Sequence, residues 1–78
     1  MREKREYLVI TFHTTSAAMA MEALCAEKAL PGRLIPVPRE ITAGCGMAFR
    51  AEIEQEQSLL DAAKDAGIQV DGTYKLYL

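Results

Sequence analysis

Tyr7-Leu8-Val9-Ile10-Thr11-Phe12 decides the fold. The run is rich in β-branched and aromatic residues, which predicts a strand. At the two-residue strand period, Leu8, Ile10 and Phe12 fall on one face and Tyr7 and Val9 on the other. A strand that is apolar on both faces belongs in the centre of a sheet, with cover on each side.

Working outward, His13 closes this strand, and Thr14, Thr15 and Ser16 are good helix N-caps. Residues 17–30 have strongly helical composition. Ala17, Ala18, Met21, Leu24 and Cys25 form one face at the helical period, and Pro31-Gly32 stops the helix. Residues 33–37 read as a short second strand. Pro36 cannot donate to a sheet ladder, so this strand is expected at an edge, with Ile35 and Val37 turned inward.

Residues 47–53 alternate as a half-buried third strand, Met47, Phe49, Ala51 and Ile53 against Ala48, Arg50 and Glu52. Residues 55–66 read as a second helix with Leu59, Ala63 and Ala66 as its stripe and Gly67 as its stop. Ile68, Val70, Tyr74 and Leu76 mark a fourth strand, with a bulge or bend at Asp71-Gly72. The order β-α-β-β-α-β is the ferredoxin-like arrangement of the α+β class: a four-stranded antiparallel sheet in the order 4-1-3-2, with both helices on one face. It makes one domain over residues 1–78.

The 78 residues allow only a small core, so self-association into a weak homodimer is expected. A net charge of -2 gives no electrostatic case for a nucleic-acid partner. No stretch is apolar enough for a membrane span, and the charged start of the chain lacks the apolar segment of a signal peptide. The expected location is the cytoplasm, where the two cysteines stay reduced.

One segment fits neither period: Pro36-Val37-Pro38-Arg39-Glu40-Ile41-Thr42-Ala43-Gly44-Cys45-Gly46. Gly44 and Gly46 free the backbone around Cys45 and let another molecule approach, as a presented thiol requires. In the expected topology, the turn after the first strand and the loop before the third lie at the same end of the sheet. His13, the amides of Thr14, Thr15 and Ser16, and Cys45 should therefore converge. A helix N-terminus or a cationic side chain, here His13 or Arg39, stabilises a thiolate, persulfide or selenide.

Plainer readings stand beside this one. Cys45 also suits a strand start, His13 a cap, and Arg39-Glu40 a solvated pair of little energetic weight. Cys25 is expected in the core and too far along its helix to bridge Cys45. No C-x-x-C is present, and one histidine with one cysteine makes a poor zinc site, so neither a metal nor a cofactor is expected. For a cysteine hydrolase, no Asn, Asp or Glu is obviously placed to orient His13. The chain reads as a non-enzyme.

The same residues carry a family likeness. Tyr7-Leu8-Val9-Ile10-Thr11-Phe12-His13, Leu34-Ile35-Pro36-Val37-Pro38-Arg39-Glu40-Ile41, Gly44-Cys45-Gly46, and Gly67-Ile68 followed by Gly72-Thr73-Tyr74 resemble the selenium/sulfur (Se/S) carrier protein-like family of small bacterial domains. The resemblance covers nearly the whole chain. The first helix ends earlier than is usual in the family, and Cys25 is not a family feature. The resemblance implies that Cys45 holds sulfur or selenium for transfer between donor and acceptor enzymes, a cysteine desulfurase-like donor among them. Two rival readings remain. One is a non-catalytic interaction or regulatory module that dimerises through a sheet or helix face. The other is a redox sensor acting through Cys45.

Overall fold

A computed structural model of the protein describes residues 5–41 and 45–78. Its elements are β1 (Glu6–Thr11), α1 (Thr15–Glu27), β2 (Arg33–Pro36), β3 (Met47–Ala51), a 3-10 turn (Ile53–Gln55), α2 (Glu56–Asp65) and β4 (Gly72–Tyr77). The sheet runs β2-β3-β1-β4, all neighbours antiparallel. This is the ferredoxin-like α+β arrangement expected, with the doubly apolar strand central and the proline-bearing strand at an edge. Pro36 is the last residue of β2, opposite Met47, where its missing N–H costs the ladder least.

Both faces of β1 are covered. On one, Leu8 and Ile10 join Phe12, Phe49 and Ala51 against Ala18, Met21 and Cys25 of α1 and Leu59 and Ala63 of α2. On the other, Val9 and Ala48 pack with Ile41, bordered by Ile35, Val37, Leu76 and Leu78. No helical residue belongs to this second cluster; its buried cap is Ile41, from the loop after β2. Tyr7 and Val9 are thus both buried within the chain.

The helix ends differ from expectation for a local reason. α1 stops at Glu27 rather than residue 30: Leu30 N–H donates to Cys25 O at 2.8 Å and Ala29 N–H to Ala26 O at 3.4 Å, with Ala29 at φ 57. That is a Schellman closure built on alanine, completed before Pro31 is reached. α2 closes the same way, Ile68 N–H to Ala63 O at 2.9 Å and Gly67 N–H to Lys64 O at 3.1 Å. Its stripe is Leu59, Ala62 and Ala63, and Ala66, at the cap, is exposed.

Ile68 and Val70 were expected in the fourth strand. They instead pack as loop residues against the helix-side core, and β4 begins only at Gly72. β1 and β4 pair in unbroken register from Glu6↔Tyr77 to Thr11↔Gly72, so Asp71-Gly72 opens the strand rather than bulging it. Ile53 likewise leaves β3 to begin the 3-10 turn.

Two substitutions test this account by thermal or denaturant unfolding. Ala29→Gly should stabilise the protein by about 0.5–1 kcal/mol, because it relieves left-handed strain at some cost in unfolded-chain entropy. Gly32→Ala should destabilise it by about 2 kcal/mol. Gly32 sits at φ 143, and an added Cβ would lie 2.6 Å from Cζ of the buried Phe49 ring and 3.0 Å from the Arg50 carbonyl oxygen.

Candidate functional site

The last β1 pairings, Thr11↔Ala48 and Thr11↔Gly72, bring the starts of β3 and β4 to the C-terminal end of β1. His13, Thr14 and Thr15 follow β1, and Cys45 precedes β3, so all four lie at one end of the sheet.

Cys45 stands at the neck of the loop that covers the second sheet face. Val37 N–H donates to Gly46 O at 3.0 Å, extending the β2–β3 ladder one step beyond Pro36. Inside the loop, Ile41 N–H donates to Pro38 O at 2.9 Å, so Arg39 and Glu40 form an exposed turn while Ile41 is buried. Gly46 adopts φ 78, a conformation that L side chains rarely take, and an added Cβ there would meet nothing within 4 Å. This glycine therefore serves backbone geometry rather than packing. Gly44 lies outside the described residues.

The Cys45 sulfur is half-buried and engages the backbone ahead of it. Sγ accepts from Met47 N–H at 3.4 Å and donates to Met47 O at 3.3 Å. When the thiol ionises, the contact to the carbonyl loses its proton, while the N–H contact remains and strengthens toward an anion. Cys25 offers the contrast. It is 2 % exposed, and burial pushes its thiol up from the ordinary value of 9.0. Both cysteines are free.

His13 turns to the other side of β1. Its Nε2 lies 3.4 Å from Asp71 Oδ1, an ion pair when the imidazole is protonated. Asp71 is held in turn by β1: its N–H donates to Thr11 O at 2.7 Å, and the buried Thr11 hydroxyl lies 3.3 Å from Asp71 Oδ2 and from Gly72 O. A carboxylate, Asp71, therefore lies within ion-pair distance of His13. Asp71 and Thr11 escaped the sequence reading because Asp71-Gly72 resembled a bend inside a strand. The Cys45 sulfur hydrogen-bonds to Met47 of β3, whereas the His13 imidazole lies near Asp71, on the β4 side of β1.

Thr14 caps α1, its hydroxyl accepting from Ala17 N–H at 3.1 Å. Helix geometry leaves the Thr15 and Ser16 amides without an intrahelical acceptor. Ser16 borders an open groove of about 500 Å³ lined also by His13, Thr14, Ala17, Gly67 and Gln69, among others, which Thr15 does not line. Cys45 does not line this groove. Arg39 makes no ion pair among the described residues. No group of three His, Cys, Asp or Glu side chains among them is arranged to hold a metal ion. None of the described helices is long and apolar enough to cross a membrane.

Fold and loop define a small α+β domain that presents a cysteine at the mouth of a β-hairpin-like neck. Over residues 7–75, most of its length, the chain matches the family described as "Putative Se/S carrier protein-like", and it belongs to that family. No curated protein and no solved structure shows a significant match.

The contrast between the cysteines predicts how stability responds to alkali. A raised folded value means that Cys25 contributes stability fully below about 9, lost as pH climbs through the folded value because only the unfolded thiol ionises readily. The unfolding midpoint should fall over that alkaline range. Cys25→Ala should lower the midpoint at neutral pH, because it leaves a cavity, but flatten the alkaline fall relative to the native chain. An equally steep fall in Cys25→Ala would show that other groups are responsible.

Proposed function

We propose that the protein is a non-enzymatic carrier of sulfur or selenium and that Cys45 holds the cargo atom. The observation that carries this reading is the half-exposed Cys45 sulfur at a loop neck, accepting the Met47 N–H, in a chain of the Se/S carrier protein-like family.

Loading is a thiolate exchange. The Cys45 thiolate attacks the terminal sulfur of a donor's cysteine persulfide, the donor S–S bond breaks, and the donor thiolate leaves. Cys45 is left as a persulfide, with no net oxidation or reduction. Unloading is the same exchange with an acceptor thiolate in place of Cys45, and selenium follows the same bookkeeping. The Met47 N–H supports the inner sulfur in both the thiolate and the loaded state.

His13 stands on the same rim but is held toward Asp71. Its role is to steady charge on the docked donor rather than to hold Cys45. Arg39 and the Thr14 and Thr15 backbone offer further polar groups around that rim, and Gly46 adds no side chain to it. Donor and acceptor are enzymes of the cytoplasm, the donor a cysteine desulfurase or its selenium counterpart.

Incubation with a cysteine desulfurase and cysteine, followed by peptide mass spectrometry without reductant, should find one extra sulfur atom on Cys45. Thiol treatment should remove it. Cys45→Ser should carry none while losing no more than about 1 kcal/mol of stability. His13→Ala should slow loading severalfold without preventing it. An unmodified Cys45, or sulfur retained on Cys25, would overturn the proposal.

A further inference from the structure

A second feature lies on the helix-free face of the sheet, at the end away from Cys45. Arg33 and Arg50 are direct cross-strand partners, and Arg50 is in turn opposite Val9. Both arginines therefore share the Val9 face, with β-carbons about 5 Å apart at such a pairing. Neither forms an ion pair with a carboxylate among the described residues. The Arg50 guanidinium lies 4.6 Å from the centre of the Tyr7 ring, and Arg5 stacks on the same ring at 5.1 Å. Arg5 already has an acidic partner, Glu52.

Like charges placed directly opposite destabilise a strand pair. In a chain of net charge -2, three arginines gathered around one tyrosine are an uneven use of positive charge. Stacking on Tyr7 pre-orders the Arg50 fork, and the neighbouring Arg33 adds donors suited to a carboxylate. The hollow they line with Tyr7, Gly32 and Glu52, whose carboxylate is taken up by Arg5, holds only about 160 Å³. That is less than the roughly 300 Å³ where small-molecule pockets begin, and it suits a single side chain.

We propose that this arginine cluster is a docking point for an acidic segment of a partner protein, with one Asp or Glu carboxylate seated between Arg33 and Arg50. The contact supplies the carboxylate partner that Arg33 and Arg50 lack among the described residues. It requires no chemistry at Cys45 and stands whether or not the carrier reading does. Cys45 lies five residues along the chain from Arg50, roughly 16 Å away at the strand rise. Cys45 packs toward the helix side of the sheet, so this docking point is separate from the thiol.

The test is a titration of the whole chain with a hexaglutamate peptide, followed by backbone amide NMR. Saturable shifts should centre on Gly32, Arg33 and Arg50 and weaken as salt is raised. Arg33→Gln and Arg50→Gln should each weaken binding about three- to fivefold, and Lys64→Gln should leave it unchanged. Arg33→Gln should also raise the melting temperature, because it relieves the like-charge pair; this readout confirms that the variant folds. The proposal is overturned by absent or non-saturable shifts, by shifts centred elsewhere, or by full binding in the double variant. It is overturned equally if inorganic phosphate fills the site at lower concentration than the peptide, or if Arg33→Gln lowers the melting temperature.

Discussion

The structure depends on the fact that β1 cannot tolerate water on either side. Leu8, Val9, Ile10 and Thr11 are each 0 % exposed, so the strand needs a roof above and below. The helices supply one. The other is the loop after β2, which seats Ile41 on Val9 and Ala48. Full burial of such a side chain stabilises by about 1.5–3 kcal/mol. In a domain whose single core supplies little more than about 3–5 kcal/mol, that loop is part of the fold.

The thiol inherits its position from this constraint. A loop anchored by Ile41 on the sheet and closed by the Val37–Gly46 hydrogen bond has little freedom at its neck, where Cys45 sits. Its sulfur is half-buried there, resting against the helix-side core and the Met47 backbone. Cys25, nearly three helical turns into α1, serves the opposite purpose: it fills space, and burial holds it as a neutral thiol. The two cysteines thus sit in different surroundings, one under a helix and the other at a loop mouth.

Much of the frame was legible because it rests on strong local rules. Residues 7–12 are apolar at both strand phases, so β1 had to be central, and Pro36 had to lie at an edge. Cys45 between two glycines marked the site. What stayed hidden depended on contacts across the sequence. Ile41 reads as one apolar residue in a polar loop, and only the sheet beneath it shows what it covers. Asp71 reads as half of a turn dipeptide, and only its hydrogen bonds to Thr11 bring its carboxylate within reach of His13. Ile68 and Val70 carry strand-like chemistry, yet the closure of α2 turns them into core-packing loop residues. The end of α1 was misplaced because its left-handed position is filled by Ala29, not by the glycine that usually announces one.

The claim that Cys45 is the presented thiol is most directly tested by alkylating the folded protein with a limiting amount of reagent and mapping the product by peptide mass spectrometry. Cys45 should be modified while Cys25 stays intact, and both should react at comparable rates once the chain is unfolded. Modification of Cys25 first in the folded protein, or equal reaction at both, would contradict the account.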